Sequence, residues 1–132
     1  MITLQHLDHV AIRSSHPDTS AERYRDVLGL ELVRVPGWDP YPIMMMCGNQ
    51  GIAIFPLKGL SENGVENMGR HGFDHLAFRV DKDSFTHAVS RFEEREISYH
   101  IQDHHYFKSV YIHDPDGIQI ELTTPVIPLP AI

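Results

Sequence analysis

The first stretch with a regular pattern is "TLQHLDHVAIR", where apolar and polar residues alternate and predict a strand over 4–13. Val10 and Ile12 fall on one side, and His9, Ala11 and Arg13 on the other. Alternation stops in "SSHPDTSAERYRDVLGL", which reads as a helix: Ser15 or Asp18 can cap it, Pro17 sits near the first turn, and Gly29 ends it. Strands follow at 30–35, 42–47 and 51–57, the first two separated by the proline-broken loop "VPGWDPYP". The same order then returns. A strand at 73–80 precedes a helix at 83–96, with Asp83 as its cap and Phe85, Ala88, Val89 and Phe92 on one face, and strands follow at 97–101, 106–113 and 117–123.

Beneath the repeated order lies a repeated sequence. "LDHVAIR" at 7–13 matches "FDHLAFR" at 73–79, and "GIAIFPL" at 51–57 matches "GIQIELT" at 117–123, both at an offset of 66 (73 − 7 and 117 − 51). Two segments agreeing on one offset imply two tandem βαβββ modules. The predicted fold is therefore α+β, a curved mixed-sheet half-barrel around a cavity. The expected single domain spans 1–132, with module 1 at 4–58, a polar linker at 59–72, module 2 at 73–124 and a proline-rich tail at 125–132.

Side-chain parity then makes one residue stand out. In "GIQIELT", Ile118, Ile120 and Leu122 share a face, so Glu121 points to the opposite one. His75 lies opposite Leu76, Phe78 and Val80, as His9 lies opposite Val10 and Ile12. His9, His75 and Glu121 thus share the face away from the core. Two imidazoles and a carboxylate with open positions suit a catalytic divalent metal, Fe(II) or Mn(II) foremost and Zn(II) or Ni(II) as alternatives. Under the offset Phe55 is the counterpart of Glu121, which leaves one corner of the site without a protein ligand.

Composition narrows the partners. A net charge of −7 opposes binding to nucleic acid or an anionic membrane. A single cysteine, Cys47, excludes an intrachain disulfide and fits a cytoplasmic location; by packing propensity it reads as an inert buried thiol. No signal-like or membrane-spanning run is expected.

Taken together, "LDHVAI", "YRDVLGLEL", "FDHLAFRV" and "DPDGIQIEL" resemble the vicinal oxygen chelate superfamily, which includes glyoxalase I, methylmalonyl-CoA epimerase, fosfomycin-resistance and bleomycin-binding proteins, and extradiol dioxygenases. The resemblance implies paired βαβββ modules, a metal held by His9, His75 and Glu121, and a small-molecule substrate that chelates it through adjacent oxygens. "HHYFKSVYIHDPDGIQIE" is similar to the extradiol signature, with Tyr111 ten residues before Glu121 (121 − 111), although Gln102 departs from it and most extradiol enzymes have four modules. The resemblance implies an extradiol-type dioxygenase with His104 and Tyr111 as catalytic groups. The alternatives are a glyoxalase-like lyase, a fosfomycin-type transferase and a metal-free sequestration protein; Phe55, in place of a fourth ligand, opposes the glyoxalase reading. Trp38, Phe55, Arg79 and His113 are the expected pocket residues, and Tyr41 and Met44–Met46 an apolar rim.

Each of these residues also has an ordinary reading. A strand tyrosine and a loop histidine usually pack or face solvent, the methionine run fills gaps, and "DPDG" is first of all a turn. Arg13 and Arg79 either touch an anionic substrate or pair with nearby carboxylates. His6, His16, His71, His87 and His100 carry no assigned role. The uncharged tail "TPVIPLPAI" seeks a surface to cover, which predicts a homodimer in which His9 of one subunit completes the site of the other.

Overall fold

The computed structural model describes residues 2–57 and 70–130, so most of the expected linker lies outside the described residues. The chain runs β1 (Leu4–Ser14), α1 (Pro17–Leu28), β2 (Glu31–Val33), β3 (Ile43–Cys47), β4 (Gln50–Pro56), then β5 (Gly72–Val80), α2 (Lys82–Glu94), β6 (His100–Asp103), β7 (Phe107–His113) and β8 (Gln119–Pro125). This is βαβββ twice. The eight strands form one sheet in the order β2-β3-β4-β1-β5-β8-β7-β6, with the first strand of each module at its centre. β1 and β5 pair antiparallel, which joins the two modules into one continuous sheet of mixed direction, as the expected half-barrel requires.

Both helices cover one face. Ala21 and Tyr24 of α1 pack on Ile12, Ile43, Met45 and Ile54, while Phe85, Ala88 and Phe92 of α2 pack on Phe78, Val80, Val110 and Leu122. Of these, Ile12, Phe78, Val80, Phe85, Ala88, Phe92 and Leu122 are side chains that the sequence pattern assigned to the core. Phe92→Ala is expected to cost about 3–5 kcal/mol through lost burial and the void left behind. A urea titration of the two proteins checks it through the shift in midpoint.

Local chemistry moved several boundaries. The α1 cap position is His16, without a side-chain cap bond, rather than Ser15 or Asp18; Pro17 opens the helix and Gly29 ends it at φ 77°. Asp81 rather than Asp83 caps α2, its carboxylate accepting from Ser84 N at 2.7 Å. Arg95 and Glu96 close α2 with turn bonds to Arg91 and Glu93, which delays the next strand to His100. Ile118 was expected on the core face but is exposed. Asp114 binds both its backbone ends in the "DPDG" turn, and β8 begins only at Gln119.

Candidate metal centre and its cavity

On the face away from the helices, His9, His75 and Glu121 converge within one chain. Each offers a donor atom, and the three donors lie within 4.8 Å of one another. His75 is fully buried and Glu121 almost so. His75 Nε2 is 2.9 Å and His9 Nε2 3.5 Å from Glu121 Oε1, and the rings meet edge to face at 5.6 Å. The antiparallel register sets His9 against Ala77 and Ala11 against His75, so the histidines sit diagonally across the central ladder. Ala11 and Ala77, both fully buried, keep the space between them small. One chain brings all three groups together, so the site does not need the expected exchange of His9 between subunits to assemble them.

Sequence alternation missed the residues that aim these imidazoles. The β1–β5 register slips between Leu7 and His9 and again between Ala11 and Ile12, leaving Asp8 and Asp74 as extra residues in the ladder. Such bulges let a residue lean to the same side as its neighbour. Asp8 Oδ1 thereby reaches His9 Nδ1 at 2.8 Å, and Asp74 Oδ2 reaches His75 Nδ1 at 2.6 Å. Each aspartate also accepts from the other module's arginine: Arg79 Nε to Asp8 at 2.7 Å, and Arg13 Nε to Asp74 at 3.1 Å. Burial pushes both carboxyls up, but hydrogen bonds and charge from the adjoining histidine and arginine outweigh it and hold both below the usual aspartate value. Of the two readings for Arg13 and Arg79, pairing with carboxylates is the one seen. The missed signal was the Asp-His-x-x-x-Arg spacing present in both copies of the repeat.

With Nδ1 directed at a carboxylate, each ring presents Nε2 to the centre, and Glu121 supplies an anionic oxygen. Two nitrogens and one oxygen of this kind fit a divalent transition metal, and carboxylates behind the imidazoles are the usual support for such ligands. Ser109 donates to Glu121 Oε2 at 2.7 Å and lies 2.9 Å from Thr123 Oγ1, fixing the carboxylate.

The register also corrects the repeat argument for Phe55. Ala11 pairs with Ala53, whereas Ala77, its counterpart (11 + 66), pairs with Glu121. Ala53 is therefore the spatial mate of Glu121. Phe55 stands beside Arg13, whose guanidinium lies 4.8 Å from its ring. The corner without a protein ligand is still there, held by a methyl group.

A cavity of about 560 Å³ opens beside His9 and Glu121. Trp38, Phe55 and Arg79 line it, together with Tyr41, Met44 and Met46. His113 is exposed and is not among the lining residues. Tyr111 is buried behind the wall, directly across from Glu121, and its hydroxyl is 2.7 Å from Nε2 of His104, which does line the cavity. Trp38 donates its indole N–H to His104 O at 3.3 Å, so the proline-rich loop of module 1 grips the β6–β7 turn of module 2. The tail docks through Val126 N to Tyr106 O and puts Leu129 on the cavity wall, leaving Val126 and Ile127 exposed. Cys47 is exposed, not buried, at the end of β3. Among the described residues, no helix is long and apolar enough to cross a membrane.

Comparison with known proteins agrees with this architecture. The family model described as the Glyoxalase/Bleomycin resistance protein/Dioxygenase superfamily matches residues 6–122. A metallothiol transferase FosB of Staphylococcus epidermidis is 27% identical over 89% of this chain and 80% of its own. Methylmalonyl-CoA epimerase from Mycobacterium tuberculosis superposes with a TM-score of 0.75 at 21% identity, covering 96% of this chain and 92% of its own. A catechol 2,3-dioxygenase gives 0.71 at 14% identity, over 95% of this chain and 40% of its own.

Proposed function

The chain belongs to the glyoxalase/bleomycin resistance protein/dioxygenase superfamily, and on that premise we propose that it is a metal-dependent extradiol-type dioxygenase. Its substrate would be a small aromatic carrying two adjacent oxygens, and its resident ion Fe(II) or Mn(II), held by His9, His75 and Glu121. Such an ion supplies Lewis-acid and one-electron chemistry that the side chains lack. Both atoms of O2 enter the ring-opened product, so the reaction consumes no external reductant.

The observation that carries this reading is the His104–Tyr111 pair at 2.7 Å, set against the carboxylate ligand and the cavity. Ring opening needs a proton removed from a substrate hydroxyl and later returned. His104, which lines the cavity, can take and return that proton, while the Tyr111 hydroxyl at 2.7 Å fixes its imidazole. Val33, Trp38, Met44, Phe55 and Phe107 give the ring an apolar seat that limits water.

The second reading is thiol transfer, favoured by the FosB relative. Against an anionic substrate of the fosfomycin kind stand the cations themselves. Arg13 and Arg79 are engaged by Asp74 and Asp8, and Lys108 lies against Phe85 on the helix side of the sheet. Protein purified without oxygen is expected to carry iron or manganese and to consume O2 with catechol, in equal amount to the ring-opened product. Thiol consumption without oxygen uptake would overturn the dioxygenase reading in favour of the transferase.

A further inference from the structure

We infer that Arg13 and Arg79 are positioning residues for the metal ligands, and that they act crosswise: the arginine of each module sets the histidine of the other. This rests on the reading of His9, His75 and Glu121 as a metal site. The chain of contacts is explicit. Arg79, on β5, holds Asp8 at 2.7 Å, and Asp8 holds His9 Nδ1 at 2.8 Å. Arg13, on β1, holds Asp74 at 3.1 Å, and Asp74 holds His75 Nδ1 at 2.6 Å.

The aspartates cannot aim the rings unaided. A carboxylate next in sequence to its histidine can turn about χ1 and χ2, and only a second contact on its other oxygen stops that rotation. In both copies the second contact is a guanidinium Nε, a donor of fixed direction, and both guanidinium groups are themselves pinned on aromatic rings, Arg13 on Phe55 and Arg79 on Phe107 at 5.0 Å. Arg13 also donates to Pro56 O at 3.1 Å. A proton held on Nδ1 by the aspartate leaves Nε2 available to a metal. Docking β1 on β5 is therefore the same event as setting both ligand tautomers.

The crossing makes the inference testable without turnover. The Nδ1–H resonances of His9 and His75, shifted downfield by the carboxylates, are followed by NMR in metal-free protein, and metal affinity is measured by competition with a chromophoric chelator. Arg79→Met is expected to move or broaden the His9 signal and leave that of His75; Arg13→Met is expected to do the reverse. Either change should weaken Zn(II) or Mn(II) binding by about 10–100-fold, the usual effect of losing support behind a ligand. Arg79→Lys and Arg13→Lys keep the charge and the fold but lose the fixed Nε, and should show the same crossed pattern in weaker form. Both signals moving together in the folded lysine variants, or neither moving, would overturn the inference. A wild-type protein with the two resonances in place but no metal affinity would instead sink the metal-site reading and leave the crossed arrangement standing.

Discussion

Glu121→Ala is expected to abolish stoichiometric metal binding, lowering affinity by more than the roughly 100-fold that support residues account for. Among the described residues the carboxylate is the one anionic donor of the trio, and two imidazoles alone would leave a metal's charge uncompensated in a buried position. The effect on the fold is smaller but not zero. Ser109 loses an acceptor and keeps Thr123, while His75 Nε2 loses its partner at 2.9 Å. About 1–3 kcal/mol of stability should go with them. Metal analysis together with thermal melts checks both parts. The wild type should gain stability from added metal, about 2.7 kcal/mol at a hundred times its dissociation constant. The variant should gain none, and retained stoichiometric metal would refute the assignment of Glu121.

Tyr111→Phe and His104→Ala should each lower turnover of a catechol by about 10²–10⁴-fold while metal content stays at the wild-type level. Neither side chain belongs to the set of metal donors, so loss of the ion cannot explain a fall in rate. The two act as one hydrogen-bonded unit, so the double variant should be little worse than either single one. Steady-state oxygen uptake with parallel metal analysis tests this. Additive losses would mean that the pair does not work as a unit, and unchanged rates would remove it from the chemistry.

How far the site could be read from the sequence depended on the rule in use. Strand parity placed His9, His75 and Glu121 on one face because their side chains obey the period of two that any strand imposes. The same rule would send Asp8 and Asp74 to the opposite face, since a bulge is decided by two strands together and leaves no mark on either alone. The offset of 66 found the modules, yet assigned Phe55 to the place that Ala53 holds. Sequence similarity in β4 and β8 records side-chain character, whereas the level at which a parallel strand lies against its neighbour is set by packing across the whole sheet. His113 and Cys47 failed for a simpler reason: both end strands whose last residues run out to solvent. For the crossed arginines the sequence left substrate contact and ion pairing both open. Only their shared aspartates turn those pairs into part of the site.

The central β1–β5 ladder also bears on what dilution does to the protein. Because one polypeptide brings His9, His75 and Glu121 together, a solitary copy holds all three donors found among the described residues. Specific activity should then hold level from micromolar to nanomolar enzyme, whether or not copies associate through their exposed tails.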